Sequence, residues 1–85
     1  MKEFSYTIKD EAGIHARPAG LLIKKAGEFH SEIVLHKGTK TADAKKIFSV
    51  MSLGAKKGDV LTVAVSGDDE DKAVTELKSF FESAL

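Results

Sequence analysis

The sequence has 85 residues, of which 42% are hydrophobic and 31% charged, and its 13 basic and 13 acidic residues cancel. This length predicts one small domain over residues 1–85, with no room for a second core. No basic block indicates a nucleic-acid partner, and no apolar run approaches the ~18 residues of a membrane span. The absence of cysteine excludes disulfides and thiolate metal sites. No secretory signal pattern follows Met1, so the expected location is the cytoplasm.

The N-terminal third predicts a strand followed by a helix. Apolar residues at positions 4, 6 and 8 alternate with polar residues at 5, 7 and 9, the period of a strand with one buried face. A turn is expected over residues 11–13. Pro18 suits a first helical turn and is followed by apolar residues at helical spacing. We therefore expect a helix from near Ala16 to about Gly27.

The middle of the chain predicts a hairpin and a short helix. Alternation over residues 32–36, a turn at Lys37-Gly38 and a polar run over residues 39–42 predict two paired strands. Five large apolar residues then fall within residues 47–53, and Gly54 is a plausible glycine stop. This pattern predicts an unusually apolar helix of about two turns.

The C-terminal third predicts a strand and a final helix. The apolar pattern of residues 60–66 predicts a strand that ends at Gly67. Acidic residues 68–71 stand where a helix start attracts negative charge, and apolar residues then continue at helical spacing. The order β-α-β-β-α-β-α predicts an α+β fold, with helices on one face of a four-stranded sheet. The pattern leaves the strand order open and allows an antiparallel or a mixed sheet.

His15 stands where the first helix is predicted to begin. At a helix start the N–H groups lack intrahelical partners and the dipole favours an anion. Ala16 and Arg17 supply such N–H groups, Pro18 does not, and the Arg17 guanidinium adds charged hydrogen bonds that suit phosphate. We therefore predict a phosphate site, with Ala16 and Arg17 as binding residues. We expect the His15 imidazole to act as the nucleophile that accepts a phosphoryl group at this site.

Two other roles fit His15 less well. A metal site needs further ligands, and the sequence has no H-E-x-x-H or cysteine–histidine spacing, so no metal is expected. A general base needs a substrate pocket, for which this chain length leaves little volume. The small size therefore favours a carrier over an enzyme, and no cofactor is expected. His30 and His36 have no convergent set of groups nearby in sequence.

One segment closely resembles the active site of HPr, the histidine-containing phosphocarrier family of the bacterial phosphoenolpyruvate-dependent sugar phosphotransferase system: GIHARPA at residues 13–19. The similarity covers nearly the whole chain, including KKIFSVMSLG at residues 45–54. It implies an open-faced β-sandwich, in which three helices cover one side of a four-stranded antiparallel sheet. It also implies that enzyme I phosphorylates Nδ1 of His15, which passes the group to sugar-specific IIA domains.

The predicted short helix has more apolar surface than the core needs. Val50 and Leu53 suffice for the side that faces the sheet, which leaves Ile47, Phe48 and Met51 on a second face. Exposed apolar patches often bind partners. The resemblance implies that this face docks enzyme I and IIA domains. We expect the protein to meet them as a monomer.

Two positions depart from the family pattern. Lys46 occupies the position of a regulatory serine that a dedicated kinase phosphorylates in many Gram-positive members, and lysine has no hydroxyl to modify. Ser49 and Ser52 lie nearby, but ordinary helix-surface serines are the more common case. Ala12 stands where the family often has a small polar residue. The alternative function is a nitrogen-branch or regulatory paralogue that signals its phosphorylation state by binding other proteins.

Overall fold

Seven elements form the fold, in the predicted order. The computed structural model describes residues 1–85. The strands are β1 (Lys2–Thr7), β2 (Glu32–Lys37), β3 (Lys40–Asp43) and β4 (Val60–Ser66), and the helices are α1 (Ala16–Ala26), α2 (Ile47–Ser52) and α3 (Glu70–Ala84). The predicted glycine stop of α2 is confirmed, because Gly54 has a positive φ of 61°.

The four strands form one antiparallel sheet in the order β1-β4-β2-β3. β4 lies between β1 and β2, with Val63 opposite Phe4 on one side and Leu35 on the other. The alternation of β4 fixes this register, because a slip of one residue would turn Leu61, Val63 and Val65 away from the core. The sheet is therefore antiparallel throughout, and the open-faced β-sandwich is confirmed.

The three helices pack on one face of the sheet around 20 buried apolar residues. Phe81 of α3 is fully buried and meets Phe4 and Tyr6 edge-to-face, with ring centroids 5.9 and 5.6 Å apart. Aromatic pairs of this geometry contribute about 0.5–1.5 kcal/mol beyond their burial. These contacts hold the edge strand β1 onto the core. The opposite face is uncovered, which leaves Val60 of β4 exposed.

Helix α1 contacts both other helices. Its buried side is formed by small and aliphatic residues: Pro18, Ala19, Leu22 and Ala26. Gly20 has no neighbouring atom within 4 Å of the place where a Cβ would lie, so this glycine does not mark a close approach. None of the three helices has both the length and the hydropathy required to cross a bilayer.

Candidate functional site

His15 is the N-cap residue of α1, as its position in the sequence predicts. Its backbone is extended (φ −107°, ψ −172°), and its carbonyl accepts the first helical hydrogen bond, from the Ala19 N–H at 2.9 Å. The imidazole makes no capping hydrogen bond and is exposed. Both ring nitrogens are therefore available to an incoming group, since the fold uses the backbone of this residue and not its side chain.

The first turn of α1 presents positive groups with no acidic partner. The Ala16 and Arg17 N–H groups donate to no backbone carbonyl, and Pro18 has no N–H. Arg17 is exposed and forms no ion pair, and the first turn contains no acidic residue. Two N–H groups and the positive end of the helix dipole therefore lie beside His15, and Arg17 follows two positions later with a free guanidinium. Groups of this kind suit phosphate oxygens.

The loop before His15 is pinned to the α2–β4 loop. The Ile14 N–H donates to the Ala55 carbonyl at 3.0 Å. Gly13 has a φ of 66°, and a Cβ on this residue would lie 2.3 Å from the same carbonyl oxygen and 2.8 Å from the Lys56 Cα. Only glycine fits this approach. The loop therefore has a fixed position, and with it the N-terminus of α1.

The predicted apolar face of α2 is exposed. Phe48 is 84% exposed, Met51 40% and Ile47 37%, whereas Val50 and Leu53 are buried as expected. Leu21 of α1, the helix that packs against α2, is 48% exposed as well. Sequence reasoning missed Leu21, because the helical spacing of apolar residues indicates only the buried stripe through Leu22. We call these four side chains, Leu21, Ile47, Phe48 and Met51, the docking face.

The serines of α2 are used within the fold. The Ser49 hydroxyl accepts a hydrogen bond from the Asp43 N–H at 2.9 Å, which joins α2 to the end of β3. The Ser52 hydroxyl donates to the Ser49 carbonyl at 2.6 Å. Lys46 is the N-cap of α2 and provides no capping hydrogen bond. A phosphoryl group on Ser49 would break the link to Asp43.

The start of α3 carries carboxylates that accept hydrogen bonds from groups outside the helix. The Asp69 carboxylate accepts hydrogen bonds from the His30 N–H at 2.8 Å, from the Ser31 N–H at 3.0 Å and from the Ser31 hydroxyl. The Ser31 hydroxyl and then the His30 N–H lower the pKa of Asp69 to about 2. Glu70 accepts from the Gly67 N–H at 3.1 Å, which lowers its pKa as well. These bonds tie the β4–α3 turn to the start of β2.

The other two histidines lie in different surroundings. His30 brings a ring nitrogen near the carboxylates of Asp68 and Asp69, within 4.8 Å, but its side chain and that of Asp68 are largely exposed. Asp69 already accepts three protein hydrogen bonds. His36 lies on the uncovered face of the sheet, opposite Thr62. Neither histidine lies at a helix start.

The site has no substrate pocket of its own. One groove opens on the surface, lined by Lys25, Glu76, Ser79, Phe80 and Ser83 of α1 and α3, and neither His15 nor Arg17 contributes to it. A small-molecule site is normally concave and encloses most of its ligand. The exposed histidine is therefore suited to react with a group that another protein presents.

Comparisons with known proteins agree with this arrangement. Residues 2–83 match the model of the family described as "PTS HPr component phosphorylation site". The phosphocarrier protein HPr of Mycoplasma capricolum is 38% identical over 78 residues, which cover 92% of this chain and 88% of that protein.

Solved structures share the fold. A crystal structure of HPr-C-His from Thermoanaerobacter tengcongensis superposes with a TM-score of 0.93 at 42% identity, over 99% of this chain and 94% of the other. The Bacillus subtilis catabolite repression protein Crh, a dimer with a swapped domain, gives a TM-score of 0.79 at 31% identity, over 94% of this chain and 92% of the other.

Proposed function

Because this chain belongs to the PTS HPr family, we propose that it accepts a phosphoryl group on His15 from enzyme I and passes it to IIA domains. One observation carries the proposal: the N-cap residue of α1 exposes an imidazole with no hydrogen-bond partner, beside a first turn that has no acidic residue. The protein is a relay that is consumed and regenerated, not an enzyme with its own turnover. It meets its partners in the cytoplasm.

The chemistry requires only a nucleophile and charge stabilisation. A ring nitrogen of His15 forms a bond to phosphorus, the bond between phosphorus and the donor breaks, and the donor leaves with that electron pair. The Ala16 and Arg17 N–H groups and the Arg17 guanidinium bind the phosphoryl oxygens during transfer. In the second transfer a nucleophile of the IIA domain bonds to phosphorus, the phosphorus–nitrogen bond breaks, and the electron pair of that bond returns to the imidazole. The resemblance to the family assigns Nδ1 as the reacting atom.

Incubation with ³²P-labelled phosphoenolpyruvate and enzyme I tests the proposal. We expect an acid-labile label on the chain that is absent from His15→Ala and passes to IIA domains when these are added. His30→Ala and His36→Ala are the matched controls and should be labelled normally. Labelling of His15→Ala at the normal rate would contradict the assignment.

The docking face is proposed as the surface that enzyme I and IIA domains contact. It surrounds no pocket, yet it exposes Phe48 and three smaller apolar side chains on two helices that pack against each other. Phe48→Glu should weaken enzyme I association at least about tenfold, since large aromatic side chains dominate interfaces. Val60→Glu is the control, because Val60 is 54% exposed on the uncovered sheet face. Circular dichroism checks that both variants fold; equal weakening by both variants would remove the docking face from the proposal.

A regulatory or nitrogen-branch role is the second candidate, and the likeness to Crh favours it. The presence of both His15 and Arg17 favours the carrier role. A panel of sugar-specific and nitrogen-branch IIA domains, each offered the phosphorylated chain, separates the branches by rate of transfer. The monomeric state stays a prediction, because Crh is a dimer. Light scattering measures the oligomeric state of this chain directly.

A further inference from the structure

Lys56 lies beside the loop that carries His15, although 41 positions separate the two residues in sequence. The Cβ that Gly13 lacks would lie 2.8 Å from the Lys56 Cα, so the two backbones are in contact. The neighbouring Ile14 N–H is bound to the Ala55 carbonyl at 3.0 Å. Residue 56 is therefore held next to the segment that ends in the reactive histidine.

The backbone of Lys56 is fixed by its own turn. Its N–H donates to the Asp59 carboxylate at 2.9 Å, and its carbonyl accepts from the Asp59 N–H at 2.9 Å. The Lys56 N–H is the largest cause that lowers the pKa of Asp59, and the Lys37 ammonium, 3.5 Å from that carboxylate, adds to it. The turn therefore holds the Lys56 Cα in place, while the side chain extends into solvent.

Most charges around this turn are paired. Lys57 binds Glu11 at 2.7 Å, and the Asp10 carboxylate accepts the Ala12 N–H at 2.8 Å. Lys37 binds both Asp59 and the Gly54 carbonyl, at 3.5 and 3.3 Å. Three cations of this region are exposed and form no ion pair: Lys9, Arg17 and Lys56. Of these, only Arg17 and Lys56 lie on or against the segment of residues 13–17.

We propose that the Lys56 ammonium binds the phosphoryl group carried by His15, as a second cation beside Arg17. The inference rests on the proposed phosphoryl transfer to His15. A phosphorylated imidazole brings close to two negative charges at neutral pH, and one guanidinium balances only one of them. Lys56 supplies the other charge. Its charge also helps to lower the pKa of Asp59, but it forms no ion pair that has to break.

The distance is within the reach of the side chain. Gly13 and His15 are two residues apart, so their Cα atoms are separated by at most about 7 Å. Lys56 starts in contact with Gly13 and carries its charge on a flexible four-carbon stem. The phosphoryl group extends from the imidazole in turn. Both side chains are exposed, so nothing in the core has to move for the two groups to meet.

Chemical phosphorylation with phosphoramidate tests the inference without enzyme I. An imidazole nitrogen bonds to phosphorus as the phosphorus–nitrogen bond of phosphoramidate breaks and ammonia leaves. The ³¹P resonance of phosphorylated His15 is the one absent from His15→Ala, and its pH titration gives the pKa of the phosphoryl group. A cation at hydrogen-bond distance favours the doubly charged form, so Lys56→Gln should raise this pKa by about half a unit, the scale of an exposed ion pair.

Two variants complete the experiment. Lys57→Gln removes the adjacent lysine, which is bound to Glu11, and should leave the pKa of the phosphoryl group unchanged. Lys56→Arg should keep the wild-type value. If Lys56→Gln titrates like wild type, or if Lys57→Gln shifts the pKa equally, the role of Lys56 is refuted while the carrier function stands. If enzyme I labels His15→Ala at the normal rate, the carrier function of His15 itself fails.

Discussion

Helices α1 and α3 both begin after a packed glycine and differ in the charge that follows it: the first turn of α3 is acidic, and that of α1 has no acidic residue. A glycine two positions before each cap packs against another segment: Gly13 against the Ala55 carbonyl, and Gly67 against Ser31. The cap of α3 is Asp69, whose carboxylate is bound by groups of the protein, whereas the cap of α1 is His15, whose imidazole binds none. The start of α3 therefore carries carboxylates that the protein itself binds, whereas the start of α1 is open to an external anion.

The largest effect on phosphorylation should follow from giving α1 the charge that α3 has. Ala16→Asp places a carboxylate in the first turn beside His15, where it repels the arriving phosphoryl group. We expect the rate of phosphorylation by enzyme I to fall about a hundredfold, which corresponds to about 2.7 kcal/mol. The Tm should hold or rise, because an acidic residue at a helix start is stabilising. The uncharged control Ala16→Asn should keep most of the activity; an equal loss in Ala16→Asn would show that size and not charge is responsible.

The glycine of the α1 start can be tested against a glycine of the α1 interior. Gly13→Ala forces a Cβ against the Ala55 carbonyl at a positive φ, and we expect a loss of roughly 3 kcal/mol in the free energy of unfolding. Gly20→Ala has open space and should stabilise the protein by up to about 1 kcal/mol. Chemical denaturation measures both. Equal stability of the two variants would mean that the backbone of Gly13 does not pack closely against the Ala55 carbonyl.

Substitution of Arg17 should affect phosphoryl transfer more than it affects stability. Arg17→Ala should slow phosphorylation about tenfold, the cost of one charge-assisted hydrogen bond, while the Tm changes by no more than a few degrees because the side chain is exposed. Arg17→Lys should recover part of the rate, since it keeps the charge but not the paired geometry. A large fall in Tm with normal transfer would assign Arg17 to the fold instead.

The carboxylate of Asp69 at the start of α3 should make the Tm depend on pH in acid. The pKa of Asp69 is lowered to about 2, so its stabilising contribution is complete above its ordinary value and is lost as the pH falls through about 2. Asp69→Asn keeps the size of this side chain without its titration. We expect the Tm of the wild type to fall more between pH 4 and pH 2 than the Tm of the variant. Parallel pH curves would contradict the effect.

Sequence reasoning succeeds where the signal is local. The period of β4, the proline in the first turn of α1 and the position of His15 are all contained in short segments, and the structure has the elements where these predict them. Asp69 could be placed at a helix start from its neighbours. Its bonds to Ser31 could not, because they join residues 38 positions apart.

Long-range packing hides other features for the same reason. The strand order β1-β4-β2-β3 depends on which edges pair, and alternation alone does not encode that choice. Leu21 follows the same helical pattern as its buried neighbours, and only the packing of α1 on α2 shows that it stays outside. Lys56 approaches Gly13 through a loop contact that has no sequence motif.

The central place of β4 in the sheet has a consequence for synthesis. β4 pairs with both β1 and β2, so before it emerges from the ribosome the nascent chain can form only the β2–β3 hairpin. An isolated hairpin is marginally stable at best. α1 and α2 then have no complete sheet to cover, and native pairing waits for residues 60–66. Folding is therefore a late and concerted event, in which β1 closes against a strand made more than 50 residues after it.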